Sequence, residues 1–387
     1  MTQARLDALV AFGLACVLAL WLTPIAARLA TRVGLVDHRS SARRLHTSPI
    51  PFGGGIAMFV AVAVPVLLLS PSLGGRAHAI LLGACVCAAV GLLDDRFEIN
   101  PIAKFIGELV AAAIPVAAGA TIDHLTLPLL HPLDLGALQY PVTMLWIVAL
   151  MNSFNFIDGM DGLAAGIGAI TASTFAILAL SLNRGGAAVL AAALAGACLG
   201  FLRYNFHPAR VFMGDAGSLT LGYLLAVIAI QGVLKTAAAV ALLFPTLVLL
   251  VPIFDTSFVL LHRIKYGRAV WSADANHLHH RFVRVGFSQR RAALALYAWC
   301  TLLAGCALAL RFLPWHTHDD VNVGATLILA GLAVCALVAT VWIVVVLEVV
   351  KQRHLQLFGL ARHTDVPADM PVIEAWRRRR AAAEVKR

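Results

Sequence analysis

Eleven long apolar runs, at 6–28, 53–70, 78–93, 102–120, 139–155, 162–181, 187–204, 216–234, 236–261, 291–313 and 322–348, constrain this chain more than any other feature. A run of about 20 apolar residues matches the hydrocarbon core of a bilayer. Within that core every backbone N–H and C=O must find a partner in the protein, and a helix satisfies them within one segment. The sequence therefore predicts an all-α integral membrane protein with about 11 transmembrane helices. Composition agrees: 60% of the 387 residues are hydrophobic and 13% charged, against roughly 25% charged in soluble domains. The expected organisation is a polytopic membrane domain over 1–348 and a basic tail over 349–387.

Lys and Arg gather in alternate loops, at Arg32 to Arg44, Arg96, Arg203 and Arg210, Arg263 to Arg291, and throughout the tail. The opposite loops hold little beyond Arg76, Arg184, Lys235 and Arg311. Positive loops are retained on the cytoplasmic side, which puts the N-terminus outside and the C-terminus in the cytoplasm. The first run is followed by Arg28 and Arg32 with no convincing cleavage site and reads as a retained helix rather than a signal peptide. The net charge of +10, with "WRRRR" at 376–380, reads as attraction to anionic lipid, and no nucleic-acid partner is expected. The seven cysteines all lie in apolar runs without CxxC spacing, so neither a zinc site nor a disulfide framework is indicated. Residues 121–141, on the outer side, alternate apolar and polar and suggest a small hairpin.

Acidic residues recur at the cytoplasmic ends of the runs. Asp94, Asp95 and Glu98 stand in "GLLDDRFEINP", Asp158 and Asp161 in "NSFNFIDGMDGLAAG", and Asp215 in "VFMGDAGSLTLGY". Carboxylates brought to one membrane face repel one another unless a cation gathers them. Oxygen donors without Cys or His pairs suit Mg²⁺ or Mn²⁺ rather than zinc, and Mg²⁺ is usually held by one or two carboxylates plus substrate phosphates. Gly159, Gly162, Gly214 and Gly217 beside these acids let backbone N–H groups approach phosphate oxygens. "GDAGS" opens a helix, whose N-terminus favours anions. Taken singly, each piece is also a plain cap or turn; their convergence on one face is what points to a site.

A further inner loop carries "HLHHRFVRVGFSQRR", with His277, His279, His280 and Arg281. Cationic donors on a phosphate-binding face act as clamps, while H-x-H-H next to an arginine makes a poor zinc tetrad. The first inner loop adds Asp37, Arg43, Arg44 and His46, then "PIPFGGG". Positive-inside topology accounts for its arginines but not for the Pro/Gly stretch. Lys104 and Glu108 are four apart on one helix and are expected to pair. For Asp255, in "VPIFDTS", a buried hydrogen-bonding role and a supporting role in catalysis are both open.

In order along residues 34–291, "GLVD", "PIPFGGG", "GLLDDRFEINP", "NSFNFIDGMDGLAAG", "VFMGDAGSLTLG", "PIFDT" and "HLHHRFVRVGFSQRR" resemble the motifs of the polyprenyl-phosphate N-acetylhexosamine-1-phosphate transferases, glycosyltransferase family 4. The HLHHR form looks like the branch that uses UDP-N-acetylglucosamine rather than the branch that transfers phospho-N-acetylmuramoyl-pentapeptide. One departure is Asp37-His38-Arg39, where members often read D-x-P.

The resemblance implies an active site in cytoplasmic loops. Asp94, Asp95, Asp158 and Asp161 would be catalytic, and Asp215 with Asp158 would hold the metal. Asn152, Asn155, His277, His279, His280, Arg281, His46, Lys104, Gly214 and Ser218 would bind substrate. It implies transfer of N-acetylglucosamine 1-phosphate, or of another N-acetyl amino sugar phosphate, from a UDP-sugar to polyprenyl phosphate in a bacterial inner membrane. Oligomeric state is left open, a homodimer included. The rival class is a transporter or flippase, which would place its acids near the midplane and often on inverted repeats; here they end the runs on one face and no repeat is seen.

Overall fold

The computed structural model describes residues 3–37, 50–70, 75–125, 133–234, 243–265, 278–284, 286–314 and 322–346. Its elements run α1 (Gln3–Arg32), α2 (Gly54–Leu69), α3 (Gly75–Phe97), α4 (Pro101–Ala117), β1 (His124–Leu125), β2 (Leu133–Asp134), α5 (Gln139–Ile157), α6 (Leu163–Ser181), α7 (Gly185–Asn205), α8 (Gly214–Ala229), α9 (Leu243–Val248), α10 (Leu250–Lys265), α11 (Leu278–Arg284), α12 (Gln289–Phe312) and α13 (Val323–Val346). Eight of the described helices are long and apolar enough to cross a bilayer, and α2 and α10 are shorter apolar helices. The protein is an all-α integral membrane protein, and each apolar run contains described helix.

Two details differ from or refine the sequence reading. The run at 236–261 is not one helix: its described part breaks at Leu249 between α9 and α10. Pro252 has no N–H to offer the Val248 carbonyl, so the helical ladder is interrupted there. The expected outer hairpin exists as two short antiparallel strands that pair His124 with Asp134 and Leu125 with Leu133.

Small residues let the helices approach closely. The buried stripe Ala8, Ala11, Ala15 and Ala19 of α1 lies along α7, where a Cβ on Gly196 would meet the Phe12 carbonyl at 2.1 Å and one on Gly200 the Cys16 carbonyl at 2.5 Å. Membrane helices associate through such backbone proximity because burial against lipid-like neighbours offers little drive by itself. At the centre stands α8, buried almost throughout. Its neighbours touch it through glycines: Gly55 of α2 against Gly217, Gly91 of α3 against Asp215 and Ala216, and Gly222 of α8 against Leu150 and Met151 of α5. These contacts bring the last turns of α3 and α5 and the first turn of α8 to one end of the bundle.

The "PIPFGGG" stretch now has a structural reason. Phe52 forms a parallel bridge with Phe212, the Gly54 N–H donates to the Phe212 carbonyl at 3.0 Å and the Gly55 N–H to the Met213 carbonyl at 3.1 Å. A side chain on Gly54 would strike the Phe201 ring at 2.2 Å. This segment is a strap across the start of α8.

Candidate active site

The paired acids of α3 divide their work. Asp95 accepts the Asp215 N–H on Oδ1 at 2.8 Å and the Ala216 N–H on Oδ2 at 3.2 Å. Its carboxylate thus satisfies two of the donors that open α8 and would otherwise lack partners. The anion seat read from "GDAGS" is filled by the protein's own Asp95. Gly214, at φ +67°, makes room for it: a Cβ there would lie 2.4 Å from Asp95 Oδ2.

Asp94 faces a different partner. Lys104, in the first turns of α4, places Nζ 2.8 Å from Asp94 Oδ2 and also binds Asp215 Oδ2. Asp215 Oδ1 accepts from Asn155 Nδ2 at 2.9 Å, and the same amide reaches Ser218 Oγ at 2.9 Å. One lysine and one asparagine therefore fix both oxygens of Asp215 and link α3, α4, α5 and α8.

The expected Lys104–Glu108 pair does not form. Lys104 turns to Asp94 and Asp215, where two carboxylates compete for one ammonium. Glu108 is buried and accepts from Asn152 Nδ2 at 2.6 Å, a neutral donor that satisfies it without a second cation.

Asp158 caps the C-terminal end of α5. Burial, followed by the carboxylates of Asp215, Asp95 and Asp161, raises its pKa well above the usual carboxylate range. Asp161 is tied elsewhere: its buried Oδ2 lies 2.7 Å from His207 Nδ1 and accepts the Ala209 N–H at 3.0 Å. The turn between α5 and α6 is held further by Asn205 Oδ1 on the Gly162 N–H at 3.0 Å and by Tyr297 Oη on the Gly162 carbonyl at 2.5 Å. Asn205 Nδ2 also donates to the Val211 carbonyl at 3.0 Å, so residues 205–211 connect this turn to the start of α8.

A cleft of about 750 Å³ opens over the cluster, walled by Asp94, Asp95 and Asp215 with Asp37, Phe52 and Phe97. That volume suits a nucleotide-sized ligand.

The residues read from the sequence sort as follows. Asp94, Asp95, Lys104, Asn155, Gly214, Asp215 and Ser218 meet in one bonded unit, Asp158 stands within its electrostatic reach, Asp161 is bonded to His207 instead, and Asn152 is bonded to Glu108 of α4 instead. Arg281 is buried with its guanidinium 4.8 Å from the Phe258 ring centroid. His279 and His280 lie on α11, with side chains outside the described set. His46, His277 and the tail over 349–387 lie outside the described residues. Asn205, His207 and Tyr297 are site-shaping residues that motif reading passed over; "YNFHPAR", just ahead of "VFMGDAG", was the available signal for Asn205 and His207.

No cluster of three or more His, Cys, Asp or Glu with metal-site geometry occurs among the described residues. The donor chemistry nevertheless fits a hard divalent cation: Asp94, Asp95, Asp158 and Asp215 offer oxygens only, one lysine offsets part of their charge, and Asp158 is driven toward its neutral form without further positive charge.

Fold and site together define a polytopic membrane protein with a bonded acid and lysine cluster at one end of its helix bundle. Residues 77–233 match the family described as glycosyl transferase family 4. A Bacillus subtilis (strain 168) protein named "Probable undecaprenyl-phosphate N-acetylglucosaminyl 1-phosphate transferase" is 38% identical over 312 residues, covering 80% of this chain and 87% of the relative. A decaprenyl-phosphate N-acetylglucosaminephosphotransferase of Mycobacterium leprae is 35% identical over 351 residues, covering 82% and 87%. A phospho-N-acetylmuramoyl-pentapeptide-transferase of Desulforudis audaxviator is 33% identical over 336 residues, covering 78% and 97%. This chain belongs to glycosyl transferase family 4.

Proposed function

We propose that the protein transfers N-acetylglucosamine 1-phosphate from UDP-N-acetylglucosamine to polyprenyl phosphate, releasing UMP and leaving polyprenyl-diphospho-N-acetylglucosamine in a bacterial inner membrane. The observation that carries this reading is the Asp94–Lys104–Asp215 junction at the end of a membrane-spanning bundle. An acceptor anchored in lipid and a water-soluble nucleotide sugar can meet only at such an interface.

An acceptor phosphate oxygen attacks the sugar-linked phosphorus as the bond from that phosphorus to the UMP oxygen breaks. Polyprenyl phosphate, with a second pKa near ~6 like other phosphomonoesters, is largely dianionic at neutral pH, so deprotonation is a minor task. The greater difficulty is aligning two anions. Bound Mg²⁺ or Mn²⁺ would supply charge neutralisation for the diphosphate and the departing UMP, and Asp215 with Asp158 would hold it. Lys104 offsets the charge of Asp94 and Asp215 and sets their spacing. Asn155 fixes the rotamer of Asp215. Asp95 has both oxygens engaged at the start of α8, which leaves Asp94, on the cleft wall, to orient the acceptor phosphate or take its residual proton. His277, His279, His280 and Arg281 are assigned to the sugar-linked phosphate, in keeping with cationic donors beside an acid cluster.

Purified protein in detergent with undecaprenyl phosphate, UDP-N-acetylglucosamine and Mg²⁺ tests the reading. Release of UMP that disappears with EDTA and in Asp215→Asn supports it. Release of UDP would mean ordinary glycosyl transfer and overturn it.

A further inference from the structure

Asp255 is a carboxylate that the proposed chemistry does not use. It sits in α10, only 1% exposed, and borders a small apolar pocket with Ile157, Leu163, Ile167, Val251, Leu278 and Leu296. An acid among such walls is costly unless it is hydrogen-bonded. Its Oδ1 accepts the Leu278 N–H at 2.7 Å, one of the N–H groups that open α11 and have no partner within that helix. Low polarity around the bond strengthens it. A second contact lies one turn along both helices: Arg281 of α11 stacks on Phe258 of α10. Asp255 with Phe258, and Leu278 with Arg281, are each three apart and so share a helix face. Ile157 directly precedes Asp158, and Leu163 opens α6 just after the acidic turn. The bond therefore ties α11, which carries residues 279–281, to α10 at a pocket that Ile157 and Leu163, the residues flanking the acidic turn, also line.

We propose that Asp255 is a positioning residue for the sugar-nucleotide donor, holding the histidine-bearing helix α11 in register with the acidic turn through the Leu278 N–H. It acts through α11 and does not itself touch substrate. The inference rests on the phospho-sugar transfer reading above.

The test is steady-state kinetics of Asp255→Asn and Asp255→Ala on the full chain, varying each substrate in turn. Asn keeps an oxygen for the Leu278 N–H and is expected to stay within about twofold of wild type, whereas Ala loses the bond and raises KM for UDP-N-acetylglucosamine about tenfold. KM for undecaprenyl phosphate is expected to hold in both, a split that general loss of structure would not produce. Asn as damaging as Ala would show that the carboxylate charge itself matters and would overturn the proposal, as would an Ala variant that shifts both KM values equally. Should the Ala variant not be recovered folded, the Asn variant decides, because a defect there of tenfold or more contradicts a bond that an amide oxygen can make. A wild type that turns over with the substrate-specific shift absent sinks the positioning role alone; a wild type that releases no UMP sinks the transfer reading and, with it, this role.

Discussion

Helices α8 and α13 answer to the same bilayer and are built in opposite ways. Of the eight long spans α13 is the most apolar and α8 among the least, yet α8 is almost wholly inside the protein while α13 is mostly exposed. Val323, Leu327, Leu337 and Val338 of α13 stand more than half exposed, whereas Leu219, Tyr223, Leu225 and Ile228 of α8 are at 0–1%. In water the most apolar helix would be central. In lipid, apolar side chains are satisfied by acyl chains, and the inside goes to helices that offer small residues and polar groups with partners. Gly214, Gly217, Ser218, Thr220 and Gly222 make α8 such a helix, and Asp215 is its polar group. Its rigidity places the acid; the outer helix needs only to be the right length.

Changes at the acid cluster should have the largest effect. Lys104→Ala leaves Asp94 and Asp215 without their shared cation, and Asp215→Asn removes a carboxylate on which the junction depends. Each is expected to lower kcat by about 10²-fold or more, read as initial UMP release at saturating substrates. Activity within tenfold of wild type in Lys104→Ala would break the link between the buried helix and the chemistry.

Packing of α8 comes next. A side chain on Gly91 would lie 2.3 Å from the backbone of Asp215 and Ala216, and backbone cannot move aside as a side chain can. Gly91→Val should cost about 3 kcal/mol or more, seen as a fall in the detergent melting temperature or in recovery of monodisperse protein. At Gly331 of α13 nothing lies within 4 Å of the added atom.

Charge at Asp158 gives a smaller and pH-dependent effect. Burial and the neighbouring carboxylates raise its folded pKa, so the folded protein keeps a proton that the unfolded chain releases above about 4. Without divalent cation, stability should therefore be unaffected below that value and fall as pH rises from it toward the raised pKa. Asp158→Asn, which cannot ionise, should melt above wild type in EDTA at pH 8, and the gap should close near pH 4. Equal melting temperatures at both pH values would show that Asp158 carries no such burden. Least of all is expected from Gly331→Ala: melting temperature unchanged within about 0.5 kcal/mol equivalent and full UMP release.

Much of this architecture was legible in the chain. Apolar runs gave the helices because length and hydropathy are local properties, and the acids stood out because carboxylates at the ends of such runs are costly. What could not be read was which helix faces meet. Helix α8 is apolar nearly all round, so its periodicity does not announce a partner. The Lys104–Asp215 and Asp95–Asp215 contacts span 111 and 120 positions, and only packing decides them. For that reason Lys104 looked like the partner of Glu108, its neighbour on one helix, and Asp95 looked interchangeable with Asp94. The break at Leu249 was missed because Pro252 inside a membrane run does not by itself end a helix.

The most direct test of the account follows the phosphorus. With UDP-N-acetylglucosamine labelled with ³²P in the sugar-linked phosphate, wild-type protein, undecaprenyl phosphate and Mg²⁺ should move the label into the organic-soluble lipid in step with UMP release, and Asp215→Asn should leave it in the aqueous phase. Label retained in UDP while sugar enters the lipid would mean that the bond between sugar and phosphate breaks, and would contradict an acid and lysine centre acting on the diphosphate.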